Sequence, residues 1–162
     1  MHTRRFTVVL GIAVLLIAAT LAWRVVADRR DERFEAAAAG WEAGLGSDSL
    51  LLARLIFGEA NSEPYIGQVA VASVILNRVG APGFPDSIAG VVFQPDAFES
   101  VSNGQIWASQ PSSTNLAAAT AALNGWDPSY GALFFWNPYK AVNPWIWTRQ
   151  IITQIGSHVF AR

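Results

Sequence analysis

Glu59 closes the run Leu50-Leu51-Leu52-Ala53-Arg54-Leu55-Ile56-Phe57-Gly58-Glu59. Read as a helix, Leu52, Leu55, Ile56 and Glu59 fall at i, i+3, i+4 and i+7, on one face. A carboxylate therefore shares an apolar stripe, near a helix C-terminus where the macrodipole disfavours negative charge. Apolar surroundings favour the protonated form of a carboxyl group, which is the form a general acid needs. The bland alternative is a side chain that swings out past Gly58 into water. Several other polar residues have local explanations. Glu63 stands beside Pro64 at a helix start, where capping or dipole stabilisation accounts for it. Asp86 fits a cap, and Asp127 in Trp126-Asp127-Pro128 fits a turn. Asn77, inside a helix, fits a hydrogen bond to a neighbouring loop. His158 lies in an apolar terminal stretch and reads as a hydrogen-bonded core histidine.

Composition narrows the classes of function. The chain has 162 residues, 52% of them hydrophobic, and a net charge of −1. That is room for one modest domain plus an appendage, with no basic stripe to hold a nucleic acid. There is no cysteine, which removes disulfides and thiol catalysis. The two histidines are His2 and His158, too few for an ordinary zinc centre, and no metal or organic cofactor is implied. Seven tryptophans offer flat apolar faces for core packing, sugar stacking or both.

Residues 6–23 are almost continuously apolar and follow Arg4 and Arg5. At about 1.5 Å per residue this stretch just spans a bilayer core of about 30 Å. Residues 1–27 are therefore expected to be a signal anchor, or a signal peptide if cleaved. Arg24, Arg29, Arg30 and Arg33 follow the span, so a simple positive-inside count conflicts with an outward-facing domain. Residues 28–47 read as a juxtamembrane spacer, broken by Gly40, Gly44 and Gly46.

The folded domain is expected over 48–162, as an α+β arrangement with helices first and short strands after. Ser47 or Asp48 is a candidate cap for a first helix ending near Glu59. A second helix restarts at Ser62-Glu63-Pro64 and runs to about Val79, apolar nearly all round, as a central core helix must be. Asp86-Ser87 can cap a short helix to Val92. Ala97–Val101 and Gln105–Ala108 read as two extended pieces around Ser102-Asn103-Gly104. Residues 112–124 read as a helix stopped by Gly125, with Trp126 packed in the core. Residues 132–136 read as a strand able to pair with 156–160.

Several ordered blocks resemble one known family. They include Ala53-Arg54-Leu55-Ile56-Phe57-Gly58-Glu59-Ala60, Glu63-Pro64-Tyr65-Ile66-Gly67-Gln68, and Val74-Ile75-Leu76-Asn77-Arg78-Val79. Further along come Gly104-Gln105-Ile106-Trp107, Asn124-Gly125-Trp126-Asp127-Pro128, Phe134-Phe135-Trp136-Asn137-Pro138, Trp145-Ile146-Trp147-Thr148-Arg149 and Gly156-Ser157-His158-Val159-Phe160. Over essentially all of 50–162 the chain is similar to the spore cortex-lytic type of bacterial cell-wall hydrolase. The resemblance implies a compact lysozyme-like fold, related to lytic transglycosylases, and cleavage of the glycan strand of peptidoglycan. It also implies that Glu59 is the catalytic glutamate. Well-known members carry an N-terminal wall-binding repeat where this chain has its membrane segment and spacer, so no link to sporulation is inferred. The block Phe134-Phe135-Trp136 stands where members often have tyrosines.

Glycoside cleavage needs an acid at the leaving oxygen and a group to meet the oxocarbenium-like carbon. Asp96 and Glu99 are candidates for a second, water-activating carboxylate. A lytic transglycosylase needs none, because the muramyl 6-hydroxyl attacks and one glutamate serves as acid and then base. The lytic reaction is the preferred expectation, with a hydrolytic muramidase or glucosaminidase as its alternative. Tyr65, Gln105, Trp107, Asn137 and Trp147 are the substrate-groove candidates. An amidase ranks low for want of zinc-binding histidines, and an inactive wall-binding module is the remaining possibility. The expected partner is peptidoglycan, with membrane attachment through residues 6–23 and the domain outside the cytoplasm.

Overall fold

The computed structural model describes residues 46–108, 110–140 and 142–162, together with Arg24. The apolar segment 6–23 and nearly all of the spacer 28–47 lie outside the described residues. No helix among the described residues is long and apolar enough to cross a membrane. One compact unit covers Leu45–Arg162.

Three helices make the body: α1 (Ser47–Ala60), α2 (Tyr65–Val79) and α6 (Ser113–Leu123). Every α2 residue from Gly67 to Ile75 is buried, as its all-round apolar sequence requires. Leu52, Leu55 and Ile56 of α1 are fully buried against it. Gly46, not Ser47 or Asp48, occupies the α1 cap position, and Asp48 sits in the first turn where the helix dipole favours it. Ser112 and Asn115 form a reciprocal capping box on α6. Gly125, at φ +93°, turns the chain away after the helix. That turn brings Trp126 to the surface, 46% exposed, so the expected core position for this residue is corrected.

Between α2 and α6 lie three short helices: α3 (Ile88–Val92), α4 (Glu99–Ser102) and α5 (Gln105–Ala108). Ser87 caps α3 through Oγ, which accepts from the Gly90 N–H; Asp86 does not. The extended pieces expected over 97–101 and 105–108 are helical instead. Phe98 and Ser100 turn inward, Asn103 Oδ1 accepts from the Gln105 N–H, and Gly104 at φ +78° reverses the chain between the two helices. Four-residue pieces are too short for a period of 2 to be told from 3.6.

The C-terminal part carries an antiparallel sheet in the order β1-β3-β2, with β1 Phe134–Trp136, β2 Ile151–Ile155 and β3 His158–Ala161. The expected pairing of the two aromatic strands holds, with Phe135 opposite Phe160. β2 is an additional strand, and a 3-10 turn over Pro144–Thr148 precedes it. Helices followed by a small sheet make this an α+β domain.

Candidate active site

The end of α1, the α4–α5 segment and the sheet enclose a cleft of about 430 Å³. Glu59 lines it from the last turn of α1, half-buried below the fully buried Leu52, Leu55 and Ile56. Its Oε1 accepts a hydrogen bond from the Ser100 backbone N–H at 3.0 Å. Oε2 accepts none among the described residues and is left for another donor. The contact depends on close packing: a Cβ on Gly58 would overlap the Ser100 side chain.

Gln105, Asn137 and Glu99 line the same cleft. Asn137 is committed at both ends, with Nδ2 donating to Ser157 Oγ at 3.3 Å and Oδ1 accepting from the Tyr139 N–H at 2.9 Å. Glu99 is exposed in the first turn of α4. Asp96 is outside the lining, exposed, with a left-handed backbone at φ +58°. The structure therefore brings Glu99 and not Asp96 to the cleft.

The three aromatic groove candidates stand outside the lining. Trp107, 59% exposed, stacks on Phe93 at 6.2 Å with the Arg54 guanidinium over its ring. Trp147 meets Trp136 edge-on at 5.4 Å, and Trp136 itself lines the cleft. Tyr65 packs against Trp126 and donates its hydroxyl to the Ala117 carbonyl.

Three polar residues of the cleft lining carried no expectation of a role. Ser100 is the donor to Glu59. Lys140 lines the opening. Arg78 is buried, donates from Nε to the Leu133 carbonyl at 2.7 Å, and lies against the rings of Phe84, Phe98 and Phe134. Burial lowers its pKa to about 10, so it remains a cation at neutral pH. Glu63, expected to serve α2 by capping or by its charge at the helix start, stands outside the lining and makes no cap: its carboxylate accepts from Ser157, 94 residues along the chain. A polar residue at the end of an apolar helix was the local signal for Arg78; for Glu63 there was none.

His158 is buried and lines the cleft. Its Nδ1 has no hydrogen-bond partner among the described residues and lies 3.8 Å from Glu63 Oε1. Burial pulls its pKa below 6.5, outweighing the negative charges of Glu63 and Glu59, while Lys140 lowers it further. The imidazole is therefore neutral at neutral pH; its burial is as expected, but the expected hydrogen bond is not made among the described residues, and the ring faces the cleft instead.

The cell wall hydrolase family model matches residues 62–161. The chain belongs to the cell wall hydrolase family. Glu59 lies just before the span matched to that family model. The chain is 50% identical over 127 residues to the spore cortex-lytic enzyme of Bacillus subtilis (strain 168), covering 78% of this chain and 41% of that one. It is 51% identical over 116 residues to the spore cortex-lytic enzyme of Oceanobacillus iheyensis, covering 72% and 42%. It thus spans about two fifths of the length of these relatives. Among solved structures, the catalytic domain of the Bacillus cereus SleB protein superposes with a TM-score of 0.66 at 49% identity, over 71% of this chain and 89% of that one. The catalytic domain of the germination-specific lytic transglycosylase SleB from Bacillus anthracis gives 0.68 at 46% identity, over 74% and 98%. The C-terminal unit therefore shares the fold of these catalytic domains.

Proposed function

We propose that this cell wall hydrolase cleaves the MurNAc–GlcNAc bond of peptidoglycan as a lytic transglycosylase, with Glu59 as acid and then base. Protonated Glu59 gives its proton to the leaving glycosidic oxygen as the C1–O bond breaks. The muramyl 6-hydroxyl then forms a bond to C1 and returns its proton to the Glu59 carboxylate, leaving a 1,6-anhydro end. The carrying observation is the Glu59 carboxylate in a cleft, oriented on one oxygen by the Ser100 N–H and open on the other. The solved relative named as a lytic transglycosylase supports the same reading.

Gln105 and Asn137 are placed to meet hydroxyl and acetamido groups from the cleft wall. Trp107, exposed and backed by Phe93, and Trp147, edge-on to the cleft residue Trp136, serve as platforms for further sugars. The polymer lies outside the cytoplasm, so the domain works there, with residues 6–23 as its proposed membrane anchor.

Hydrolysis is the second reading, and Glu99 in the lining favours it as the water-activating carboxylate. Mass spectrometry of the glycan ends released by the full chain separates the two. Anhydro-muramyl ends support the lytic reaction, and reducing muramyl ends contradict it in favour of hydrolysis.

A further inference from the structure

Glu63 sits in the short connection between α1 and α2. A carboxylate placed there to favour the helix dipole could stay in water. Instead its side chain is 8% exposed. Oε2 accepts the Ser157 backbone N–H at 2.8 Å, and Oε1 accepts the Ser157 hydroxyl. Gly156 makes room for this, since a Cβ there would overlap the carboxylate, and its φ of +59° suits glycine. The β2–β3 turn is thereby fastened to the α1–α2 connection.

Two residues of the cleft are held by that turn. Ser157 Oγ accepts from Asn137 Nδ2 at 3.3 Å. His158, next in the chain, has Nδ1 3.8 Å from Glu63 Oε1 and its ring edge-on to Phe135 at 5.4 Å. Both line the cleft that contains Glu59. A buried carboxylate is costly where packing alone is wanted, and an apolar side chain would pack there at less cost. What the carboxylate adds is direction, through two charge-assisted hydrogen bonds to one residue.

We propose that Glu63 is a positioning residue for glycan cleavage: through Ser157 it fixes the places of Asn137 and His158 in the wall of the cleft that holds Glu59. This inference rests on the peptidoglycan-cleaving reading of the cleft.

The test compares full-chain wild type, Glu63→Gln and Ser157→Ala on soluble peptidoglycan glycan fragments, below the melting temperature of each. Glutamine keeps the volume but is neutral: its amide oxygen can still accept the Ser157 N–H, while its NH2 faces Ser157 Oγ, so the hydroxyl must turn from donor to acceptor and both charge-assisted bonds are lost as such. Misplaced cleft groups should lower kcat roughly tenfold to a hundredfold with little change in KM. Ser157→Ala should lower kcat in the same direction, and it carries the kinetic test if Glu63→Gln does not fold. The His158 NMR titration adds a readout that stability alone would not move: Glu63→Gln removes a nearby negative charge, so the midpoint should fall, while Ser157→Ala leaves that charge in place. Wild-type kcat per folded molecule in both variants would overturn the inference and leave the parent reading intact. A wild-type chain that yields no product would bring down the parent reading and this inference with it.

Discussion

The Ser100 backbone N–H donates to Glu59 Oε1 at 3.0 Å, and Gly58 is what lets the two meet. The carboxylate's orientation is thus set by main chain from α4, and the last turn of α1 is packed against that segment with no room for a methyl group. Gly58→Ala should push α4 away from α1 and release the carboxylate. We expect kcat to fall by roughly tenfold to a hundredfold, with stability lower by about 1–3 kcal/mol from overpacking. Steady-state kinetics beside thermal unfolding check this; an unchanged kcat would remove Ser100 from the account.

The Asp127 turn should be a stability element and nothing more. Its carboxylate accepts from the Ser129 N–H and hydroxyl, the Gly131 N–H and Asn77 Nδ2. Burial alone would raise its pKa, but these hydrogen bonds outweigh it and hold the value below 3.8. Asp127→Ala should cost about 2–3 kcal/mol while kcat per folded molecule stays at the wild-type level. The stability it contributes is present above about pH 4 and is lost as pH falls through the lowered folded value. Denaturant unfolding at neutral pH and near pH 3 measures both parts.

How far these features could be read beforehand depended on range along the chain. Leu52, Leu55, Ile56 and Glu59 share a helical stripe, and α2 is apolar on every side, so both elements and the place of Glu59 at the end of α1 were visible as local patterns. The Asp127 turn was also a local signal, and the pairing of Phe134–Trp136 with the last strand, though not local, followed from two short aromatic-rich stretches. The pieces at 97–101 and 105–108 read as extended because the two four-residue helices that stand there contain hardly one turn each, while the turn between them was legible. β2 was missed although Ile151-Ile152-Thr153 is a β-branched run, a signal that was there to use. Glu63 and Ser157 are 94 residues apart, and the placing of Ser100 against Gly58 depends on tertiary packing. Such contacts leave no mark in a single sequence.

Trp107 should act on binding. Its ring is 59% exposed and backed by Phe93, so removing it leaves no buried cavity. Trp107→Ala should raise KM for long glycan strands about fivefold, equivalent to roughly 1 kcal/mol, with kcat nearly unchanged. An unchanged KM on long strands would exclude this ring from the glycan path.

Mild acid should weaken the fold through His158. Its folded pKa is below 6.5 because of burial. Below about pH 6.5 the unfolded chain therefore takes up a proton that the folded chain resists. The stabilisation is full above that pH and is lost as pH falls through the folded value. His158→Gln should flatten the change in unfolding free energy between about pH 7 and pH 5. An unaltered slope in the variant would assign the acid response to another group.

Glu59→Gln in the full chain, digested beside wild type and read by mass spectrometry of the released glycan ends, tests the central claim most directly. The account predicts 1,6-anhydro-muramyl products from wild type and a loss of about 10²- to 10⁴-fold in the variant. Wild-type product yield from Glu59→Gln would contradict it.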